Sequence, residues 1–133
     1  MVAEIDIVVR LVVAVILGVV VGIERDMSRK PFGMRDAALI SMATALFAIM
    51  MSDMASEDLA RLLPAIVTGV GFLGAGVIIK VGVHVHGMTT AAMLWVLVGI
   101  GYGVGAGMLF APVVATFLVL GVLLLKYRYR KLE

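Results

Sequence analysis

The sequence predicts an all-α membrane protein, a five-transmembrane-helix bundle that forms a single transmembrane domain over residues 1–133. Composition indicates this class, because 63% of the residues are hydrophobic and 15% are charged, whereas soluble domains have about 45–50% apolar and about 25% charged residues. The stretch Leu62–Ile79 has no charged residue and is long enough for a membrane-spanning helix. Cysteine is absent, which excludes disulfides and Cys-ligated metals.

Five apolar segments are expected to cross the membrane, at about residues 5–23, 37–51, 62–79, 88–103 and 109–125. The loops between them are too short to form a soluble domain. The first segment is interpreted as a retained helix, since no basic residue precedes it and no small-residue cleavage site ends it. We therefore expect a multi-pass membrane protein in contact with lipid. The net charge of +2 is too small to indicate nucleic acid as a partner.

Basic residues are distributed unequally between the two ends of the predicted spans. Nine of the 11 Lys and Arg residues lie in the first loop, the third loop and the C-terminal tail, and only Arg10 and Arg61 lie toward the other side. An odd number of spans puts those two loops and the tail on one side. The positive-inside rule makes that side cytoplasmic, so the N-terminus is expected outside and the C-terminus inside.

The third span carries four glycines within eight positions, namely Gly69, Gly71, Gly74 and Gly76. Their spacing also matches the G-x-G-x-x-G pattern of dinucleotide-binding proteins, but that pattern requires a preceding strand and a later acidic residue, and neither is found here. One interpretation is close helix packing through small residues. The alternative is a broken helix whose freed carbonyls line a cavity, as in transporters.

Two other spans carry glycines at helical spacing. Gly18 and Gly22 form a stripe on the first span. The fourth span has two stripes, Gly99/Gly103/Gly107 and Gly101/Gly105, and it is expected to fray toward Gly107 before the fifth span. Glycine-bearing helices pack closely, which favours a tight bundle and a homodimer.

Arg10 is the clearest charged residue at membrane depth. It follows Asp6 by one helical turn, and an i,i+4 ion pair would offset part of the cost of placing it there. Arg10 either snorkels toward the outer interface or forms a gate or anion contact near the outer mouth.

A second polar group is expected where the first span ends and the second begins, at Glu24, Arg25, Arg35 and Asp36. Asp36 is expected to cap the second helix, and Glu24 to pair with Arg35 across the loop. The group is either a solvated interfacial cluster or a cation entry site at Glu24 and Asp36, since two carboxylates suit outer-sphere contact with Mg²⁺. The nearby arginines would weaken such a site.

The remaining polar residues give weaker signals. His84 and His86 have no third ligand nearby, so they do not predict a metal site. Thr89 is expected to cap the fourth helix, and its hydroxyl is also well placed to face the glycines of the third span. Thr89 and Thr90 are assigned to one functional polar cluster with Glu24, Arg25, Arg35 and Asp36. No hydrolase, phosphate-binding or metalloprotease motif is present, so an enzyme and a resident cofactor are not expected.

Four segments together resemble the MgtC/SapB family of small bacterial inner-membrane proteins. They are Gly22–Arg25, Gly33–Arg35, Gly69–Gly76, and Gly87–Ala92 followed by Trp95. Their order and spacing match over nearly the whole sequence. Two features differ, because position 36 is often Thr in that family and is Asp36 here, and longer members carry a soluble domain after the fifth span whereas this sequence ends at Glu133.

The resemblance implies an inner-membrane protein tied to survival at low magnesium and, in some pathogens, to virulence. It implies a non-enzymatic regulator of magnesium or membrane-energy homeostasis, with the membrane ATP synthase as a possible larger partner. The alternative is a channel or transporter for Mg²⁺ or another cation, with Asp36, Glu24 and Thr89 along a pathway beside Gly71, Gly74 and Gly76. A purely structural partner subunit is a third possibility.

Overall fold

The structure is a computed structural model that describes residues 3–30 and 32–129. Its elements, in chain order, are α1 (Glu4–Met27), α2 (Met34–Met51), α3 (Ser56–Gly76), β1 (Ile79–Val81), β2 (His84–His86), α4 (Met88–Gly105) and α5 (Phe110–Tyr129). The predicted all-helical class is confirmed, with one short hairpin in addition. Arg130 and Lys131 of the predicted basic tail lie outside the described residues.

Three of the helices, α1, α2 and α4, are long and apolar enough to cross a membrane. Within α3 and α5 the apolar stretches Ala60–Gly76 and Phe110–Leu125 are shorter. Each predicted span overlaps one helix. The third was expected to continue to residue 79, but α3 ends at Gly76, Val77 is its C-cap, and a strand begins at Ile79. Ile79 and Val81 of that strand are β-branched residues, which favour this conformation.

The core lies between α1, α2 and α4. Val21, Leu97 and Val104 are fully buried there. Two glycines of α1 allow the close approach of α2: a Cβ added to Gly18 would lie 2.7 Å from the Ala37 carbonyl oxygen, and one added to Gly22 would meet the backbone of the first turn of α2. The predicted Gly18/Gly22 stripe is therefore a packing surface within the chain.

Glycines also allow the close approach of α2 and α4. A Cβ added to Gly105 would lie 2.8 Å from the Cα of Ala45, and one added to Gly101 would lie 2.9 Å from the carbonyl carbon of Ser41. Such distances are shorter than van der Waals contact, so neither glycine can be replaced without separating the helices. In the other glycine stripe of α4, Gly103 lies against Pro112 of α5.

Helix α3 is the least enclosed helix of the described chain. It packs mainly on α4, and a Cβ added to Gly69, Gly71 or Gly76 would meet nothing within 4 Å. The closest approach to Gly74 is 3.8 Å, from the Cβ of Ala91. The expectation of close packing at these four glycines is therefore not met within one chain. Their alternative, a broken helix, is not observed either, because α3 runs unbroken through them.

The loop expected between the third and fourth spans is a β-hairpin. Ile79 pairs with His86 and Val81 with His84 across an antiparallel ladder, and Gly82 forms the turn with a φ of 61°. Gly87, with a φ of 89°, then starts α4, and a Cβ there would overlap the carbonyl of Val77. Glycine is thus required at position 87 by both backbone conformation and space.

Helix α4 ends at Gly105 in a regular C-terminal motif that is closed by Gly107, where we expected fraying. Gly107 has a φ of 85°, and its N–H donates to the Val104 carbonyl at 3.0 Å, while the Met108 N–H donates to the Gly103 carbonyl at 2.9 Å. This pair of bonds is a Schellman motif, which satisfies the last carbonyls of a helix. The expected turn into the fifth span is therefore found at the expected residue.

Candidate functional site

Arg25 of α1 and Thr90 of α4 meet inside the helix bundle. Only 4% of Arg25 and 5% of Thr90 are exposed, and the guanidinium Nη2 donates to the Thr90 hydroxyl oxygen at 2.8 Å. The residues are 65 positions apart in sequence. We call Glu24, Arg25 and Thr90 the α1–α4 junction.

The junction leaves two buried polar atoms without a partner among the described residues, Arg25 Nε and Glu24 Oε2. The other carboxylate oxygen of Glu24 accepts a hydrogen bond from the Ser28 hydroxyl at 2.7 Å. An unpaired polar group in a protein interior costs free energy, and a charged one costs more. The junction therefore concentrates desolvated charge at one point between two helices.

The expected pairing of Glu24 with Arg35 is not found. Arg35 is exposed at the start of α2, whereas Glu24 accepts its hydrogen bond from Ser28, the C-cap residue of α1. A side chain in the last turn of a helix reaches a hydroxyl four residues later more easily than a residue beyond a loop. The predicted polar cluster is therefore divided into the α1–α4 junction and a second group at the start of α2.

The second group holds the first turn of α2. Asp36 Oδ2 accepts the N–H of Gly33 at 3.1 Å, and Asp26 Oδ2 accepts the N–H of Met34 at 3.0 Å. Asp36 thus caps α2 from the third helical position, while Gly33 occupies the N-cap. A Cβ on Gly33 would overlap the Asp26 carboxylate. These residues and Arg35 line an open cavity of about 340 Å³.

The expected role of Thr89 is wrong. The N-cap of α4 is Gly87, whose positive φ no threonine would favour, and Thr89 is exposed in the first turn without a hydrogen bond to the helix end. Its neighbour Thr90 turns inward to Arg25 instead. Neither hydroxyl lies against an α3 glycine, since Gly69, Gly71 and Gly76 have no neighbour within 4 Å and Gly74 faces Ala91.

Arg10 ties the opposite end of α1 to α4. Its Nη2 lies 2.6 Å from Asp6 Oδ2, which is the i,i+4 ion pair that the sequence predicts. Its Nη1 also donates to the Gly105 carbonyl at 2.7 Å, in the last turn of α4. A cation is favourable at the negative end of a helix. Arg10 therefore contacts both α1 and α4 at this end of the bundle.

The two carboxylates expected to contact Mg²⁺ both have partners within the chain. In the described residues, no three His, Cys, Asp or Glu side chains come close enough to hold a metal ion together. Asp36 is engaged as a helix cap, and Glu24 adjoins the buried positive charge of Arg25. His84 and His86 share one face of the hairpin, since they are two residues apart in a strand.

Sequence reasoning missed Asp26 and the Arg25–Thr90 contact. The signal for Asp26 is weak, because an acidic residue in the last turn of one helix rarely caps the next. Arg25 and Thr90 were both assigned to the polar cluster, but nothing in their spacing joins residues on different spans. A buried Arg needs a partner, and that rule is the signal that would have prompted a search for one.

Comparison with known proteins gives consistent matches. The MgtC family matches residues 11–132. The chain is 38% identical over 122 residues to an uncharacterized protein of Haemophilus influenzae, covering 84% of this chain and 51% of that protein. It is 37% identical over 110 residues to Protein MgtC of Salmonella typhimurium, covering 83% and 48%. It is 38% identical over 111 residues to Protein MgtC of Brucella abortus, covering 82% and 46%.

The chain spans about half the length of these curated relatives. The part matched by the family contains α2 to α5 and α1 from residue 11 onward, including every residue of the α1–α4 junction and of the α2 start. No solved structure matches the chain.

Proposed function

The chain belongs to the MgtC family, and from that membership we propose that it is a non-enzymatic regulator of magnesium or membrane-energy homeostasis in the bacterial inner membrane. It acts by binding a larger membrane complex through one face of α3. The observation that carries this proposal is the open glycine face of that helix.

The α3 face consists of Gly69, Phe72 and Gly76, whose spacing of three and seven residues places them on one side of the helix. A Cβ added to Gly69 or Gly76 would meet nothing within 4 Å, and Phe72 is 79% exposed. Helices associate inside a bilayer through small residues that let backbones approach, since the hydrophobic effect gives them no driving force there. Gly18 and Gly105 show that this chain uses glycine for such contacts. An open face of the same kind fits a transmembrane helix of a partner, and the membrane ATP synthase is the candidate.

We propose that all five helices cross the membrane, with the N-terminus outside and the C-terminus inside. Antiparallel α1 and α4 support this arrangement, because Arg10 contacts the end of α4 and Arg25 contacts its start. The Arg25 end carries the basic first loop, which the positive-inside rule assigns to the cytoplasm.

The test compares two glycine variants in inverted membrane vesicles. Gly69→Leu fills the α3 face, and Gly121→Leu is the matched control, since that glycine of α5 also has open space around it. We expect the wild-type chain and the control to reduce ATP-driven proton pumping, and Gly69→Leu to lose this effect at equal amounts of inserted protein. Equal inhibition by both variants would exclude the α3 face. No inhibition by the wild type would exclude the ATP synthase as the partner.

The homodimer is tested in the same positions. The chain has no cysteine, so Gly69→Cys and Gly121→Cys each introduce a single thiol. A disulfide requires Cα atoms about 4.4–6.8 Å apart. We expect oxidative crosslinking of two chains at position 69 and none at position 121. Crosslinking at neither position would place any dimer contact away from α3.

A cation carrier is the alternative, and flux in liposomes separates it from a regulator. The pathway glycines of α3 face outward in one chain, so a carrier would need a second copy to enclose them. Asp36→Asn removes the charge but keeps an oxygen for the Gly33 N–H, and the fold should persist. We expect no Mg²⁺ or proton flux above empty vesicles. Flux that disappears in Asp36→Asn would overturn the regulator and establish the carrier.

A further inference from the structure

The α1–α4 junction contains three hydrogen-bonding groups with unused capacity. Arg25 Nε is a buried donor without a partner, and Glu24 Oε2 is a buried acceptor without one. The Thr90 hydroxyl accepts from Arg25, and it donates to no described residue, so its own proton is also available.

Thr90 differs in this respect from other helical threonines of the chain. Thr44, Thr68 and Thr116 each donate to the carbonyl four residues earlier, at 2.8–2.9 Å. For Thr90 that residue is His86, which lies in β2 rather than in a helix. The hydroxyl proton of Thr90 is therefore not consumed by its own backbone.

These groups limit the class of ligand that the α1–α4 junction can bind. The buried Arg25 guanidinium excludes a metal cation, and the Glu24 carboxylate disfavours an anion. The site needs a small neutral molecule that accepts at least one hydrogen bond and donates another. A buried water typically makes about three hydrogen bonds to such otherwise unsatisfied groups.

We propose that the α1–α4 junction is a binding site for one internal water molecule. The water accepts hydrogen bonds from Arg25 Nε–H and from the Thr90 hydroxyl, and it donates one to Glu24 Oε2. It thereby links the buried charges of α1 to the first turn of α4. This assignment does not depend on the proposed regulator or on the carrier, since it rests on the Arg25–Thr90 hydrogen bond and on the two buried atoms that lack a partner among the described residues.

Solid-state NMR of the ¹⁵N-arginine-labelled protein in lipid bilayers tests the site. Magnetisation transferred from water is measured at Arg25 Nε–H, whose resonance is assigned by its loss in Arg25→Lys. We expect clear transfer in the wild type, and a loss of at least about threefold in Thr90→Val. Thr116→Val is the matched control, because that buried threonine bonds its own helix, and it should leave the signal unchanged.

Three results would overturn the proposal. The first is no water transfer to Arg25 Nε–H in the folded wild type. The second is an equal signal in Thr90→Val and the wild type. The third is a ¹⁵N–¹³C distance showing Arg25 Nε in direct contact with the Glu24 carboxylate. The first and third are measured on the wild type, so the proposal stays testable if Thr90→Val does not fold.

Discussion

Replacing Gly101 with Ala should destabilise the bundle, although alanine is the better helix former. The new Cβ would meet the Thr44 hydroxyl and the Ser41 carbonyl, whose carbon would lie 2.9 Å away. The hydroxyl can rotate, but the carbonyl belongs to the backbone of α2. Ordinary contact begins at 3.4 Å, so α2 must retreat by at least about 0.5 Å, which is 3.4 less 2.9 Å. Buried residues such as Leu97 then lose part of their contacts.

The magnitude follows from two opposing effects. Overpacking costs about 1–3 kcal/mol, and the upper end applies because a whole helix must move. Replacing Gly with Ala in a helix stabilises the helix by up to about 1 kcal/mol. We therefore expect a net loss of about 2 kcal/mol in Gly101→Ala. Gly99→Ala is the control, since Gly99 lies two residues away on α4 with nothing within 4 Å, and it should gain about 0.5–1 kcal/mol.

The assay is reversible unfolding in mixed micelles with increasing SDS. The single tryptophan, Trp95, lies on α4, and its fluorescence follows the unfolding of the bundle. The two variants should differ by about 3 kcal/mol, from the values above. If Gly101→Ala were as stable as Gly99→Ala, the close α2–α4 approach would be refuted.

Two pairs of substitutions test the polar contacts in the same assay. Arg10→Gln should lower the free energy of unfolding by about 1.5–3 kcal/mol, because it removes the charged donor to the Gly105 carbonyl. Asp6→Asn should lower it by only about 0.5 kcal/mol, because it removes a single i,i+4 ion pair; equal costs would show that Arg10 acts through Asp6 alone. Asp36→Ala should cost about 1 kcal/mol by freeing the Gly33 N–H, and Asp36→Asn should retain most of that stability; a loss as large in Asn as in Ala would mean that charge rather than capping matters.

Sequence reasoning succeeded where a local rule determines the structure. Apolar runs predicted the helices, and the four-residue spacing predicted the Asp6–Arg10 ion pair. The turn into the fifth span was expected at Gly107 and is found there, because its positive φ suits glycine. The fraying expected before it was wrong, since the last carbonyls of α4 are hydrogen-bonded. Asp36 was expected to cap α2, and it does so from one turn inside the helix.

Reasoning from sequence failed where the outcome depends on which helices are neighbours. A glycine signals close approach without naming the partner, so the densest run, on α3, was weighted over the sparser stripes of α1 and α4 that pack within the chain. Thr89 and Thr90 are adjacent, and only the placement of α1 decides that Thr90 faces Arg25. The expected pairing of Glu24 with Arg35 failed for a local reason, because Ser28, the C-cap residue of α1, lies one helical turn from Glu24 and donates to it instead.

The sparse attachment of α3 has a consequence for folding cooperativity. The other four helices pack against one another, whereas α3 rests mainly on α4 and is joined to it by the hairpin. Regions with few buried contacts open at lower free energy than the rest of a protein. The chain thus divides into a four-helix cooperative unit and one satellite helix. A ligand that binds only the docked form of α3 shifts the local equilibrium toward that form. The fraction of molecules with α3 docked can therefore change while the other four helices stay folded.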